Sequence, residues 1–413
     1  MRIAICSLSQ FTYVADFIEV AACLNHAHDV CYFFGFYCQN SIKLLQNKQI
    51  SYQVFLDEQV DIRRVLIDPA TVTSPYEIFK GYFFKYAELL LPQLIDALKA
   101  WEPDLILSHY RDYAGMTVAE ILCLPMVSFG NAGSPFRVEG IDPPYGVGVS
   151  RDTPKRVMQL FWELNRKFNQ EIDLLYNRTI RQPYGLNNIS GASVLHSNKL
   201  VLLSMISSLS NKSSPDPPYV KFVGLLGLSR SESEDVEEVD TIAHIAASPQ
   251  PRVLVSLGTI HIEPTEKCLE ALQNFPGTVI VSLGGKNGIK ISSIYHNSNV
   301  IWKPFFYDFY KVLKLVDAVV TTASAKTVIE SLSVGKPLIC LPRQGEQYET
   351  ALRLQSLGAG EIPCPKEWDA KKFARITEQV ATEEKYSESA ALLQAEIERS
   401  GGVNEVVKLI ETL

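Results

Sequence analysis

The sequence predicts an α/β protein built as two doubly wound parallel-sheet units facing each other across a cleft. Three observations predict it. A chain of 413 residues is too long for one compact core and suits two domains of ordinary size. In both halves, short apolar runs alternate with stretches of helical spacing, the signature of parallel strands joined by crossover helices. Between the halves, residues 229–240 read Ser-Arg-Ser-Glu-Ser-Glu-Asp-Val-Glu-Glu-Val-Asp, an acidic run that cannot bury an apolar face and is expected to be a linker. The expected division is residues 1–228, the linker 229–240, residues 241–395 and a terminal helical stretch in 396–413.

The elements follow in order. Residues 2–7 form a short apolar strand, and 14–24 carry helical spacing through Phe17, Val20, Ala21 and Leu24. Further strands are expected at 29–34, 105–108 and 126–129. A long amphipathic helix, rich in Phe and Tyr at its start, is expected over 79–100. Another runs over 154–181 and ends near Gln182-Pro183-Tyr184-Gly185. After the acidic run come a strand at 252–256, a helix at 264–273 and a strand at 279–283. A helix at 307–315, a strand at 318–321, a helix at 327–333 and a strand at 337–341 complete the alternation. The last helix, 403–413, is able to pack on either half.

Composition narrows the function. With 46% hydrophobic and 21% charged residues the chain reads as globular. No apolar run is long and unbroken enough to cross a bilayer. The opening Met1-Arg2-Ile3-Ala4-Ile5-Cys6-Ser7 enters a strand pattern without the apolar core and cleavage site of a signal peptide. A cytoplasmic protein is expected, with peripheral membrane contact left open. Eight cysteines lie scattered without a C-x-x-C pair, which favours buried free thiols over a metal cluster or disulfide framework. A net charge of −7 without a basic stripe argues against nucleic acid as the partner.

In open parallel sheets ligands bind beyond the carboxyl ends of the strands. Three segments of the second half place suitable chemistry there. The first is Val253-Leu254-Val255-Ser256-Leu257-Gly258-Thr259. Gly258 removes the side chain that would hold a phosphate away, and the Thr259 hydroxyl can donate to it; a plain strand-to-turn transition fits these residues equally. In the second segment, residues 317–331, an apolar strand ends in small and hydroxyl residues before a helix begins. The amides at that helix start attract anions, and Ala323, Ser324 and Ala325 let a phosphate approach. Glu330, on the first turns of the helix, can accept two ribose hydroxyls. The alternative is a Ser/Thr N-cap with a solvent-facing glutamate. The third segment, residues 335–347, is a strand ended by Pro342 and followed by Glu346 and Gln347, an acid–amide pair suited to a polyol.

Taken together, residues 299–360 closely resemble the donor-binding signature of GT-B glycosyltransferases. These include the nucleotide-sugar-dependent families that glycosylate antibiotics, sterols and flavonoids. They also include the bacterial and archaeal enzymes related to the peptidoglycan N-acetylglucosaminyltransferase. The matching elements are Asn299-Val300, Pro304-Phe305, Asp317-Ala-Val-Val-Thr, Thr327-x-x-Glu330, Gly335-Lys-Pro-Leu with Pro342, Glu346-Gln347 and Leu357-Gly358-Ala-Gly360. Ser256-Leu-Gly-Thr259 fits the family's turn at the start of the second domain. The resemblance implies two Rossmann-like domains and a nucleoside-diphosphate sugar donor, UDP- or dTDP-linked, with no metal and no further cofactor. It implies that Glu330, in the element begun by Thr327, holds the ribose, and that Gly258 and Thr259 lie near the diphosphate. Glu346 and Gln347 would bond the donor sugar, and the backbone around Phe305 and Phe306 would cradle or stack on the base.

Two positions depart from the family pattern. Relatives carry a histidine and two small residues at the phosphate turn; here Thr322, Ala323 and Ser324 stand there. Lys326 offers the missing positive charge, a solvated lysine being the plainer reading. Relatives also read Gly-His-x-x-Pro in the loop after the first strand, the histidine being the general base. Tyr13 occupies that slot, and a phenol with a pKa near ~10 is a poor base at neutral pH. Asp16 is the preferred substitute and His109 the second candidate, with Asp112 as its partner. A helix-start acid and a cleft-edge polar residue are the bland readings of Asp16 and His109.

The implied reaction is inversion by direct displacement onto an acceptor hydroxyl or similar nucleophile. Phe11, residues 79–84 and the loop 133–149 with Phe136, Pro143, Pro144 and Tyr145 are candidate acceptor walls, unless 79–84 is simply core. Such walls suit a hydrophobic small molecule such as a polyketide or terpenoid, or a peptide or lipid. Loss of both histidines is also compatible with a non-catalytic helper protein of the same fold. A sugar-nucleotide epimerase fits less well, since it needs a cluster of charged catalytic residues that is not evident.

Overall fold

The computed structural model of the chain describes residues 1–8, 11–15, 17–56, 66, 74–227, 236–258, 263–284, 299–364 and 367–413. Among the described residues, thirteen strands form two sheets in which every pairing is parallel. The first sheet holds β1 (Arg2–Cys6), β2 (Asp29–Phe36), β3 (Ser51–Leu56), β4 (Leu105–His109), β5 (Met126–Gly130), β6 (Leu200–Leu203) and β7 (Val220–Phe222). Its order is β3-β2-β1-β4-β5-β6-β7. The second holds β8 (Arg252–Ser256), β9 (Thr278–Ser282), β10 (Val300–Lys303), β11 (Ala318–Thr321), β12 (Leu338–Cys340) and β13 (Gly360–Glu361), in the order β10-β9-β8-β11-β12-β13. The first six strands of the two sheets thus follow one pattern. β4 and β11 occupy equivalent places, each beside the first strand of its sheet.

Strands covered by helices on both faces must be apolar throughout, and β4, β9, β11 and β12 are buried along their whole length. Around the first sheet lie α1 (Phe11–Ala15), α2 (Ile18–Leu24), α3 (Gln39–Asn47), α4 (Pro75–Ile78), α5 (Lys85–Trp101), α6 (Tyr113–Ile121) and α7 (Lys155–Tyr176). The stretch expected as one helix over 14–24 is therefore two, divided before Phe17, whose ring stacks on Phe129 at 4.0 Å. The expected helix over 79–100 begins with a wide turn over Phe79–Phe84. That turn packs Phe84 into the core, 4.9 Å from the Tyr113 ring and 5.2 Å from Tyr176.

The second sheet carries α8 (Val236–Ala247), α9 (Glu263–Ala271), α10 (Phe309–Leu315), α11 (Ala325–Leu332), α12 (Gly345–Ser356), α13 (Ala370–Thr382) and α14 (Glu384–Arg399), and the chain ends in α15 (Gly402–Glu411). The acidic run expected as a linker lies outside the described residues over 229–235. From Val236 it is the first turn of α8, where Glu238 is buried and accepts the Asp308 amide at 2.8 Å. The place of the last helix is settled by packing. Ala390, Leu393 and Ile397 of α14 join the core with Val328 and Ile329, whereas Val406 and Ile410 of α15 join Val20 and Leu24 of the first half. The chain crosses back, and Gly402 donates its amide to the Val223 carbonyl at 3.0 Å. All eight cysteines are free thiols, but only Cys6, Cys31, Cys268 and Cys340 are buried, while Cys23 and Cys123 are exposed.

Candidate functional site

The register of β8 on β11 sets Ser256 opposite Thr321, so both chains leave the sheet at the same edge. Gly258 follows with φ +73°, and no described residue comes within 4 Å of where a side chain would stand. From β11 the chain passes Thr322, 8% exposed, and Ala323, whose φ of +61° lies in the left-handed region that non-glycine residues rarely adopt. Ser324 stands at the N-cap of α11 but makes no capping bond; its Oγ instead donates to Thr327 Oγ1 at 3.1 Å. The first amides of α11 are thus without a side-chain cap. Thr321 Oγ1, buried at the end of β11, has no hydrogen-bond partner. Thr259 lies outside the described residues.

Glu330 does not face solvent. It is 3% exposed on α11, and Lys326 Nζ sits 3.6 Å from its Oε1. The same ammonium donates to the Gly227 carbonyl at 3.4 Å, so Lys326 is turned onto the helix and the end of the first half instead of being solvated. Phe305 and Phe306 part company. Phe305 is 38% exposed and meets Tyr307 edge-on at 5.3 Å, whereas Phe306 is 1% exposed in the core beside Val312 and Leu313. The Phe306 side chain fills the second-half core, so of the two rings only that of Phe305 is exposed, while the backbone of both remains where a base was expected to be cradled.

Across the cleft, the equivalent turn after β4 has different contents. His109 is fully buried, contrary to a cleft-edge position. Its Nδ1 accepts the Arg111 amide at 3.1 Å, which leaves the ring proton on Nε2, buried without a partner. Burial, with the nearby Arg111 charge, lowers its pKa to about 3, so it is a neutral imidazole and a poor proton acceptor. Asp112 does not orient it. Asp112 caps α6, its Oδ1 accepting the amides of Ala114 and Gly115, both at 3.1 Å. Burial raises its pKa to about 7, the two amides offsetting part of that rise. Tyr13, half-buried, lies edge-on to His109 at 4.7 Å. Asp16 lies outside the described residues.

The acid–amide pair on α12 is split as well. Gln347 Oε1 accepts the Arg343 amide at 2.9 Å. Glu346 forms an ion pair with Arg111 of the opposite half. One turn on, Glu349 pairs with Arg137 at 2.8 Å and accepts the Gly146 amide at 2.7 Å. The loop 133–149 therefore lies directly on α12. Gly345 must be glycine for this, since a Cβ there would stand 1.6 Å from the Gly146 carbonyl oxygen. Of the expected acceptor walls, Phe79, Phe83 and Tyr145 gather near Arg111 and Arg137. Phe136 packs instead on Tyr219 and His196.

Arg111, Arg137 and Glu349 went unread in the sequence. Glu349 lies three residues beyond Glu346 on the same helical face, which is a usable signal. Nothing local announces that the two arginines belong to it. Among the described residues no group of three or more His, Cys, Asp or Glu side chains is arranged to hold a metal ion. Among them, too, no helix is long and apolar enough to cross a membrane.

Comparison with known proteins agrees with this architecture. Residues 262–404 match the glycosyltransferase family 28 C-terminal domain. Demethyllactenocin mycarosyltransferase of Streptomyces fradiae is 29% identical over 167 residues, 40% of this chain and 36% of that protein. The match thus spans little more than a third of that relative's length. The crystal structure of the glycotransferase of kitacinnamycin superposes over 100% of this chain and 98% of its own, with a TM-score of 0.77 and 18% identity. The spinosyn rhamnosyltransferase complexed with thymidine diphosphate superposes over 100% of both chains, with a TM-score of 0.69 and 16% identity. At such identities the superpositions speak for the fold. The chain has the GT-B fold of two parallel-sheet halves, and residues 262–404 of its second half match the glycosyltransferase family 28 C-terminal domain.

Proposed function

We propose that this chain transfers a sugar from a nucleoside-diphosphate sugar to a hydroxyl or similar nucleophile of a hydrophobic small molecule, with inversion and without a metal. The observation that carries the reading is the paired turn at the edge of the second sheet. Gly258 opens space, Ala323 holds a left-handed turn, and the start of α11 lacks a side-chain cap. A diphosphate supplies the oxygens such amides attract. Glu330 takes the ribose by exchanging its contact with Lys326 for two hydroxyls, and the displaced ammonium stays close enough to favour the anion. Glu346 and Gln347 bond the sugar, and Phe305 stacks on the base.

In the transfer, the acceptor oxygen attacks the anomeric carbon while the bond to the diphosphate breaks. The diphosphate carries the electron pair away, stabilised by the helix-start amides and hydroxyls. The acceptor proton goes to Asp16, the remaining candidate once His109 and Asp112 are set aside for their burial and capping roles. Support for the donor class comes from the thymidine diphosphate bound by the spinosyn rhamnosyltransferase. The sealed, neutral His109 favours a second reading, a helper protein that binds nucleotide without turnover.

Thermal shift against UDP, dTDP and their sugars tests the binding step, since a ligand of the native state raises stability by mass action. A shift with one nucleotide series, abolished in Glu330→Gln, is expected; no shift across the panel would sink the proposal. Release of nucleoside diphosphate in the presence of an acceptor then separates the enzyme from the helper.

A further inference from the structure

Arg111 follows the carboxyl end of β4 and carries its charge into the space between the halves. Its guanidinium carbon lies 5.0 Å from the centroid of Tyr110, 5.5 Å from Phe83 and 5.8 Å from Phe79. Ring faces attract a cation but give it no full hydrogen bond. Its carboxylate partner, Glu346, comes from the opposite half. The two are unequally placed, the arginine side chain keeping 15% of its exposure and the glutamate 39%. If the halves part, water can take over Glu346 far better than Arg111. A guanidinium also presents five N–H donors in a planar fork that matches a carboxylate, and the bond to Glu346 is made by Nη2.

We propose that Arg111 is the anchor for a carboxylate on the substrate, so that the sugar or the acceptor handled in this cleft is an acid. The proposal rests on the sugar-transfer reading. Opening the cleft to admit substrate draws Glu346 away and leaves Arg111 among rings and the neutral Tyr110 and Tyr113 hydroxyls with no carboxylate to balance its charge, a costly arrangement. A substrate carboxylate restores its charge balance and takes the fork through two parallel hydrogen bonds. Glu346 is then released to accept sugar hydroxyls. The donor's diphosphate is not the anion concerned, because its amides and hydroxyls belong to the second half.

Titration calorimetry on the full chain tests this with two matched pairs of probes. The donor pair is UDP-glucuronate against UDP-glucose, or the dTDP equivalents if dTDP is the nucleotide that binds. The acceptor pair, added with the nucleoside diphosphate present, is naphthoic acid against naphthamide. The acid of one pair is expected to bind about tenfold to a hundredfold tighter than its neutral partner, and which pair shows it tells whether sugar or acceptor is the acid. Arg111→Gln should equalise that pair and Arg111→Lys restore part of the preference. Glu346→Gln, which removes the internal competitor, should strengthen naphthoate binding where the acceptor is the acid. Should Arg111→Gln fail to fold, the lysine and Glu346→Gln variants carry the test. Equal affinities within both pairs, with nucleotide bound, overturn the proposal and leave sugar transfer standing. Absence of any nucleotide binding removes both.

Discussion

The turn after β4 and the turn after β11 occupy the same place in two sheets of the same strand order, yet they treat the helix that follows in opposite ways. After β4, Asp112 folds its carboxylate over the start of α6 and satisfies the amides of Ala114 and Gly115. After β11, Ser324 turns its hydroxyl toward Thr327 and makes no capping bond to the start of α11. The first turn brings its own hydrogen-bond acceptor and is closed. The second leaves the same electrostatic demand for a ligand to meet. A shared topology therefore supplies two equivalent pockets of partial positive charge. The cap residue is what differs between them, and under the proposed function the uncapped one takes the diphosphate.

The largest effect expected from this comparison is on stability against pH. The buried Asp112 carboxyl has its pKa raised to about 7, against ~3.9 in an unfolded chain. Between those values the folded state holds a proton that the unfolded state has lost. Its contribution to stability is therefore full at low pH and declines as pH rises toward 7. Asp112→Asn keeps an oxygen on both amides and cannot ionise. By pH 8 it should be more stable than the parent, by up to the order of 4 kcal/mol, with little difference near pH 4. The parent's own profile hides this, because His109 and His196, lowered to about 3 by burial, contribute the opposite slope. Denaturant melts of parent and variant across pH 4–8 make the check; a constant offset would mean that Asp112 is ionised throughout.

A smaller effect is expected from converting the open turn into the closed one. Ser324→Asp should weaken UDP or dTDP binding on the order of a hundredfold, as a carboxylate takes the amides and repels the phosphates. The free chain should gain ~1 kcal/mol from the new cap. Unchanged nucleotide affinity would break the comparison. The smallest effect is expected at Ala323. Ala323→Gly relieves the left-handed φ and frees the unfolded chain, so stability should change by less than ~1 kcal/mol, with nucleotide affinity retained. A loss matching that of Ser324→Asp would show that the shape of the turn, more than the open amides, decides binding.

Most of the fold was legible because its signals are local. The strand over 318–321 was read to the residue, since a buried parallel strand is a continuous apolar run bounded by polar turns. The strands β6, β7 and β13 were not read, as runs of two to four residues, only β6 apolar throughout, do not separate strand from helix core or turn. The division of the first helix before Phe17 was equally invisible. The turns at Gly258 and at Thr322, Ala323 and Ser324 were legible as turns, because small and hydroxyl residues follow a continuous apolar run in both places. The burial of His109 was not legible for one reason: a residue type shows the chemistry of the side chain but not the side of the backbone on which it falls. Phe305 and Phe306 are neighbours in the chain, and only their packing sends one to the rim and the other to the core.

By itself the sequence determined the α/β alternation, the two-part division and the small-residue turn that leaves a helix start open, because propensity, periodicity and backbone freedom act over a few residues. Only the tertiary structure decided that Asp112 is a cap, that α15 returns to the first half, and that Glu346 meets Arg111 across 235 positions of chain. Those outcomes depend on which surfaces are brought together and which charges lose their water. No stretch of sequence contains that information until both partners are in place.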